Sequence, residues 1–181
     1  TLHIGFLLMP EYTLSTFANA IGILRLANRL TDSALYRWSI YSVDGEAVVS
    51  SAGLEMKVDG RLDPEQSMHI LMVCGGYRIK DHCNKHVSDA LRRLAKNKIA
   101  LGALCTGSYV LAAAGLLNGY RCTIHWENLA SMREEFPSLQ ICSSLFVIDR
   151  DRYTCSGGIS SIDLMLNLVA SIHGHQLVQQ I

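Results

Sequence analysis

A tight turn centred on Cys105, between an apolar strand and an apolar helix, is the feature that most constrains how this chain can fold. The apolar run 99–104 predicts a strand that leads into the turn, and an apolar helix is predicted from Gly107 onwards. Such a turn needs small residues two positions before and two after its centre, because larger side chains would collide where the chain doubles back. Ala103 and Gly107 stand at those positions. The pattern is typical of a nucleophile elbow with cysteine in place of serine.

The elbow also predicts the chemistry of Cys105. Its sulfur would project above the sheet at the amino end of a helix, where the partial positive charge favours thiolate over thiol. A reactive or ligand-facing cysteine is therefore one hypothesis for this position. The alternative is a buried cysteine in a well-packed α/β core, which is where free cysteines usually lie.

Length and composition favour one compact domain. The chain has 181 residues, of which 49% are hydrophobic and 18% charged, enough to bury both faces of a sheet. No apolar run approaches the ~18 residues that a membrane span needs, so we expect a cytoplasmic protein without membrane contact and with reduced cysteines. Sixteen basic residues balance sixteen acidic ones. This balance argues against a nucleic-acid-binding surface within this chain.

Apolar strand-like segments alternate with helix-like segments along the chain, which predicts an α/β fold. We expect a mostly parallel sheet with helices on both faces, as in a flavodoxin-like three-layer sandwich. The strands and helices with the clearest patterns are strands near 2–8, 36–43, 69–74, 99–104, 145–148 and 152–155, and helices near 127–135 and 160–172.

Three predicted strand ends carry residues that suit a functional site. Gly75 and Gly76 follow one strand, Cys105 follows the next, and His125 follows a short strand further along. Because the carboxyl ends of parallel strands meet at one edge of a sheet, we expect a shared crevice there. Its parts would be backbone N–H donors, a nucleophile and a base. Taken singly, each has an ordinary structural interpretation, such as a tight strand exit or a packed histidine.

No metal or cofactor is expected. His82 and His86 have the i,i+4 spacing of zinc ligands on a helix, but no third and fourth ligands follow at typical spacing. A solvated helix start is the better interpretation.

Two longer motifs point to a family. One is Cys-Thr-Gly-x-x-x-Leu-Ala-x-Ala-Gly-Leu-Leu from Cys105, and the other is Thr-x-His-Trp ending at Trp126. With the run 71–76, they make nearly the whole chain resemble the PfpI-like superfamily of the class I glutamine-amidotransferase-like fold. Within it, the chain resembles the sensor half of GlxA-type AraC-family transcriptional regulators. The segments 20–29 and 36–38 are similar to the subgroup that controls arginine, carnitine or glycine-betaine catabolism.

The resemblance also shows where this chain departs from enzymatic members. Spacing places Thr16 where hydrolase and deglycase relatives have the acidic residue that meets the cysteine sulfur. A threonine hydroxyl cannot replace a carboxylate in acid–base chemistry. Protease-like relatives also have a histidine directly after the nucleophile, where this chain has Thr106. We therefore expect no catalytic residues, with Cys105 and His125 forming the floor of a ligand pocket.

The function that the resemblance implies is sensing rather than catalysis. Residues 1–173 would bind an effector and form a homodimer, and 174–181 would begin a linker to an absent helix-turn-helix domain that contacts DNA. The effector would be a small polar or zwitterionic metabolite, with an aromatic ring such as Trp126 facing its cationic head. The aromatic residues expected near the crevice are Tyr12, Phe17, Tyr77 and Trp126. The candidate ligand-binding residues are Tyr12, Thr16, Gly75, Gly76, Cys105, Thr106, His125 and Trp126. The alternatives are a cysteine-dependent hydrolase or glyoxalase-type enzyme on the same fold, and a redox sensor that uses Cys105.

Overall fold

A seven-stranded sheet forms the centre of the computed structural model, which describes all residues 1–181. Its strands lie in the order β10 (Phe146–Asp149), β11 (Arg152–Cys155), β7 (Ala100–Leu104), β6 (Ile70–Cys74), β1 (Leu2–Leu8), β2 (Tyr36–Ser42) and β5 (Gly60–Arg61). Only β10 and β11 pair antiparallel, and the other pairs are parallel. The prediction of a mostly parallel sheet is confirmed.

Two small two-stranded sheets lie beside the central one. They are formed by β3 (Val48–Val49) with β4 (Glu55–Met56), and by β8 (Arg121–Cys122) with β9 (Gln140–Ile141). The first is a hairpin that reaches one side of the crevice described below, and the second precedes the segment that carries His125.

Helices cover both faces of the central sheet. They are α1 (Leu14–Thr31), α2 (Ile79–His82), α3 (Lys85–Lys96), α4 (Gly107–Ala113), α5 (Leu129–Glu135), α6 (Ser160–His173) and α7 (His175–Val178), with a 3₁₀ turn at Trp126–Asn128. The structure thus confirms the three-layer sandwich. None of these helices combines the length and the hydropathy that crossing a membrane requires.

The alternation of buried side chains along the strands produces two hydrophobic cores. In β6, Leu71 and Val73 pack towards α3 and α4, whereas Ile70, Met72 and Cys74 pack towards α1 and α6. This is the pattern expected of a parallel strand buried on both faces. Such a sheet holds its strand ends in fixed positions, so side chains that follow β1, β6 and β7 are presented at one edge.

The chain beyond Gly174 also packs on the domain. Leu177, Val178 and Ile181 lie against the core on the side of α1 and α6. The division between a sensing domain ending at residue 173 and a linker over 174–181 stays a prediction.

Candidate functional site

The turn at Cys105 has the geometry of a nucleophile elbow. Cys105 has φ +58°, in the left-handed region that L-residues rarely adopt. A Cβ atom on Gly107 would overlap the Val73 carbonyl oxygen and would lie 3.3 Å from the Cβ of Ala103. The small residues predicted at Ala103 and Gly107 are therefore required by close approach of the two arms, which confirms the elbow.

An open crevice of about 730 Å³ lies above the elbow at the carboxyl edge of the sheet. The loops after β1, β6 and β7 supply its floor, and the β3–β4 hairpin and the segment after β8 supply its sides. Its lining residues are Thr13, Ser51, Gly76, Tyr77, Arg78, Ile79, Lys80, Asp81, Cys105, Thr106, His125, Glu127 and Asn128. Four of the predicted residues, Gly76, Cys105, Thr106 and His125, thus meet in one cavity.

Cys105 and His125 approach each other across Gly157. A Cβ atom at Gly157 would lie 2.9 Å from the His125 ring and 3.2 Å from the Cys105 sulfur. Gly157 has φ +91°, a conformation that also favours glycine. The His125 Nδ1 accepts a hydrogen bond from the Glu127 N–H at 3.4 Å. The sulfur and the imidazole therefore face the same crevice, as the sequence predicts.

The side chain that touches the Cys105 sulfur is Thr13, not Thr16. The Thr13 hydroxyl donates to the sulfur at 3.6 Å and makes no capping bond to α1, although Thr13 is the N-cap residue of that helix. Thr16 is fully buried, and its hydroxyl donates to the Thr13 carbonyl oxygen at 2.9 Å. The placement of Thr16 at the sulfur is therefore wrong, because one helical turn separates it from the crevice.

The environment of Cys105 raises the pKa of its thiol. Burial is the largest cause, and the Glu127 carboxylate adds to it, whereas hydrogen bonds from the Thr13 hydroxyl and the Thr106 N–H act in the opposite direction. The side chain is only 5% exposed. The expectation that the helix end favours thiolate is thus wrong, because desolvation of the charged form outweighs the nearby donors.

The two glycines after β6 have different roles. The Gly75 N–H donates to the Leu104 carbonyl oxygen at 3.2 Å, so Gly75 is not a free donor and lies below the crevice. Gly76 pairs with Tyr12 in an isolated antiparallel bridge, and its own N–H donates to no atom of the chain. Gly76 alone offers the free N–H predicted for this pair.

The aromatic residues predicted near the cavity are mostly elsewhere. Tyr12 is fully buried and packs edge-on against Phe17, which is itself in the core. Trp126 lies beside His125 but is 68% exposed and does not line the crevice. Tyr77 does line it. The positions predicted for Tyr12, Phe17 and Trp126 are therefore wrong, because hydrophobic burial or solvent exposure takes each ring away from the cavity.

Charged side chains form much of the rim. Arg78 donates to Glu11 through two nitrogen atoms at 2.9 and 3.0 Å, and His82 Nε2 lies 3.0 Å from the same carboxylate. These bonds, those from Arg78 first, lower the pKa of Glu11 to about 2. Lys80 pairs with Glu135 at 3.2 Å. No group of three or more His, Cys, Asp or Glu side chains is arranged to hold a metal ion.

Several lining residues escape prediction from the sequence alone. Ser51 belongs to the β3–β4 hairpin, which tertiary packing brings to the crevice, and it carries no local signal. Glu127 and Asn128 follow the His-Trp motif closely and could have been included on that ground. Thr13 could have been recognised as the hydroxyl residue directly before an apolar helix.

The fold and the cysteine elbow define an α/β domain of the PfpI-like class. A family model described as the DJ-1/PfpI family matches residues 14–171, and the chain belongs to this family. The resemblance stated from the sequence is confirmed.

The chain is similar to transcriptional regulators over nearly its whole length. It is 44% identical over 174 residues to the HTH-type transcriptional regulator GbdR of Pseudomonas aeruginosa, covering 96% of this chain and 47% of GbdR. The chain thus spans about half the length of the curated regulators it matches. A crystal structure of an AraC family transcriptional regulator from Pseudomonas putida has a TM-score of 0.90 and 32% identity, covering 99% of this chain and 96% of that one.

An enzyme is also among the relatives. The isonitrile hydratase of Pseudomonas putida is 30% identical over 185 residues, covering 98% of this chain and 76% of the hydratase. The fold is therefore shared by regulators and at least one enzyme.

Proposed function

We propose that this chain is the effector-sensing part of an AraC-family transcriptional regulator, in which ligand binding to the crevice biases a separate DNA-binding domain. Similarity to GbdR and to the Pseudomonas putida regulator supports this role. The balanced charge of the chain fits DNA contact through another part of the protein. We further propose that the domain forms a homodimer and that the protein is cytoplasmic.

The observation that carries the proposal is the contact between Cys105 and a hydroxyl group. Thr13 donates to the sulfur at 3.6 Å, and no carboxylate is hydrogen-bonded to it. A hydroxyl can donate to a ligand or to the sulfur, but it does not exchange protons near neutral pH as a general acid or base must. With its pKa raised by burial, the thiol also stays protonated at neutral pH. The site therefore suits binding better than nucleophilic catalysis.

The effector that this crevice suits is a small polar or zwitterionic metabolite. The free Gly76 N–H provides a donor, the Thr13 hydroxyl can turn from the sulfur to donate to a ligand, and the rim carries charges of both signs. The similarity of segments 20–29 and 36–38 to the arginine, carnitine and glycine-betaine subgroup suggests which compounds to test first.

A thermal-shift screen followed by calorimetry tests this function. A bound effector at a hundred times its Kd stabilises the folded state by about 2.7 kcal/mol. His125→Leu alters the crevice, whereas His175→Leu changes an exposed histidine outside it and serves as the matched control. We expect the first substitution to weaken binding about tenfold or more and the second to leave it unchanged. Equal affinities in the two variants would place the effector elsewhere.

The second candidate is a cysteine-dependent enzyme, which the similarity to isonitrile hydratase favours. The measurement is consumption of a simple isonitrile, methylglyoxal and small amides by the wild-type chain and by Cys105→Ala. If the chain is a regulator without catalytic activity, the wild-type chain and Cys105→Ala should consume these compounds at the same rate. Turnover that disappears in Cys105→Ala would establish the enzyme instead.

A further inference from the structure

Two residues at the crevice rim have backbone conformations that residues with a Cβ atom rarely adopt. Glu11, in the loop after β1, has φ +61°, and Arg78, in the loop after β6, has φ +51°. Both values lie in the left-handed region, where the Cβ atom crowds the following carbonyl oxygen. Such strain persists only where the surrounding contacts fix the conformation, and it is common at functional sites. The contacts of these two residues therefore indicate what this part of the rim holds in place.

The two strained residues are bound to each other. Arg78 donates to both carboxylate oxygens of Glu11, from Nε at 3.0 Å and from Nη2 at 2.9 Å. His82 Nε2 lies 3.0 Å from the same carboxylate. A bidentate pair fixes the orientation of both side chains, which a single contact between surface charges does not. The backbone joins the same two loops, because the Tyr77 N–H donates to the Glu11 carbonyl oxygen at 3.0 Å.

The loop that carries Glu11 also carries the side chain that touches the elbow. Thr13 follows Glu11 by two residues, and its N–H donates to the Gly75 carbonyl oxygen at 3.0 Å. Its hydroxyl donates to the Cys105 sulfur at 3.6 Å and does not cap α1, although Thr13 is the N-cap residue. A threonine at this position usually accepts from the first N–H groups of its helix. The contact with the sulfur thus depends on how the preceding loop is held.

We propose that Glu11 and Arg78 are positioning residues, whose ion pair holds the Thr13 hydroxyl against the Cys105 sulfur. Neither side chain is hydrogen-bonded to the sulfur, and neither charge is among the causes of the raised pKa of the Cys105 thiol. The pair therefore acts on the elbow through Thr13. This inference concerns the crevice of the proposed function, but it does not depend on which ligand binds there.

The test measures the pKa of the Cys105 thiol when either partner of the pair is removed. Alkylation by iodoacetamide is followed at Cys105 by peptide mass spectrometry across a range of pH, in the wild-type chain, Glu11→Ala and Arg78→Ala. The midpoint of the profile reports the pKa of the thiol, because the thiolate is the nucleophile, whereas the plateau reports access to the sulfur. Arg93→Ala breaks the exposed pair of Arg93 with Glu65, outside the crevice, and serves as the matched control. Circular dichroism verifies that each variant is folded over this range.

We expect Glu11→Ala and Arg78→Ala both to move the midpoint to higher pH, because each loosens the Thr13 hydrogen bond that stabilises the thiolate. Below the midpoint, the alkylation rate should fall about threefold or more. Arg93→Ala should match the wild type. A direct electrostatic effect would instead have opposite signs, since loss of the Glu11 charge would lower the pKa of the thiol and loss of the Arg78 charge would raise it. Opposite shifts would therefore overturn the proposal, and so would two unshifted profiles.

A double-mutant cycle tests whether the effect passes through Thr13. Thr13→Val removes the hydroxyl but keeps the shape of the side chain, and it should itself move the midpoint to higher pH. Arg78→Ala added to Thr13→Val should cause no further shift, because the hydrogen bond is already lost. A further shift as large as that of Arg78→Ala alone, or a wild-type midpoint in Thr13→Val, would refute the positioning role. No effector takes part in these measurements, so either result leaves effector sensing to the titrations of His125→Leu.

Discussion

The Cys105 thiol is subject to two opposing influences at the residue scale. Burial and the Glu127 carboxylate destabilise the thiolate, while the Thr13 hydroxyl and the Thr106 N–H stabilise it. The first pair prevails, so the side chain at the elbow is a neutral thiol at neutral pH. A neutral thiol can donate a weak hydrogen bond to a ligand and is a poor nucleophile.

Replacing Glu127 with glutamine should lower the pKa of the Cys105 thiol, because a negative charge near the sulfur is removed. The pH profile of alkylation by iodoacetamide, followed at Cys105 by peptide mass spectrometry, should shift to lower pH. Glu134→Gln should leave the profile unchanged. An unshifted profile in Glu127→Gln would show that the carboxylate does not act on the thiol.

Gly157 and Gly158 offer a paired test of the contact between Cys105 and His125. Both have positive φ, so alanine at either position strains the backbone by about 1–2 kcal/mol. Only at Gly157 would the new Cβ also crowd His125 and Cys105, since nothing lies within 4 Å of the Cβ position at Gly158. Gly157→Ala should therefore slow Cys105 alkylation and weaken effector binding, whereas Gly158→Ala should change stability alone. Equal alkylation rates would disprove the shared approach to Gly157.

At the scale of elements, the carboxyl end of β1 contributes to the crevice and its amino end to the buried core. Its carboxyl end leads to the loop that carries Glu11 and Thr13 to the crevice. Its amino end buries His3, whose Nε2 lies 2.8 Å from the Ser39 hydroxyl and whose Nδ1 lies 3.2 Å from the Ser67 carbonyl oxygen. Burial first, then the charges of Arg37 and His69, lower the pKa of His3 below its usual 6.5. The hydrogen bond to the carbonyl oxygen of Ser67 opposes this shift.

His3 should therefore make stability depend on pH. Because its pKa is lower in the folded than in the unfolded chain, the unfolded state binds more protons below 6.5. The free energy of unfolding should fall as the pH decreases from about 7.5 to about 5.5, by less in His3→Gln than in the wild type. Urea unfolding at each pH measures this, with His175→Gln as the exposed control. A slope unchanged by His3→Gln would contradict the prediction.

At the scale of the whole molecule, one sheet serves both hydrophobic cores. Each of β1, β6 and β7 contributes side chains to the core beneath α3 and α4 and to the core beneath α1 and α6. Loss of packing in one core would disturb the strands whose opposite faces form the other core. The domain should consequently behave as one cooperative unit.

Urea unfolding should show a single transition by independent probes. Far-ultraviolet circular dichroism reports the helices, and Trp38 fluorescence reports β2 once Trp126 is replaced by phenylalanine. The midpoints should coincide, because β2, next to the edge strand β5, is hydrogen-bonded along its length to β1, which contributes to both cores. Separate midpoints would show that the edge of the sheet unfolds independently.

The α/β class, the three layers and the elbow are determined by the sequence itself. Strand and helix periodicity is local, and burial of both faces of a parallel strand leaves a continuous apolar run such as 70–74. The small residues at Ala103 and Gly107 are equally local, because the turn requires them wherever the rest of the chain lies. These features can be predicted without knowing which distant segments are in contact.

The composition of the crevice was decided by the tertiary structure. Spacing along the chain pointed to Thr16, but the direction in which α1 leaves the loop after β1 brings the Thr13 hydroxyl to the sulfur instead. Ser51 reaches the cavity only because its hairpin packs there, and the rim cations Arg78 and Lys80 are bound to Glu11 and Glu135, which lie far from them in sequence. Such partnerships depend on distances between segments far apart in sequence. No local sequence pattern predicts these hydrogen bonds and ion pairs, because they form only between donors and acceptors that the fold has brought close together.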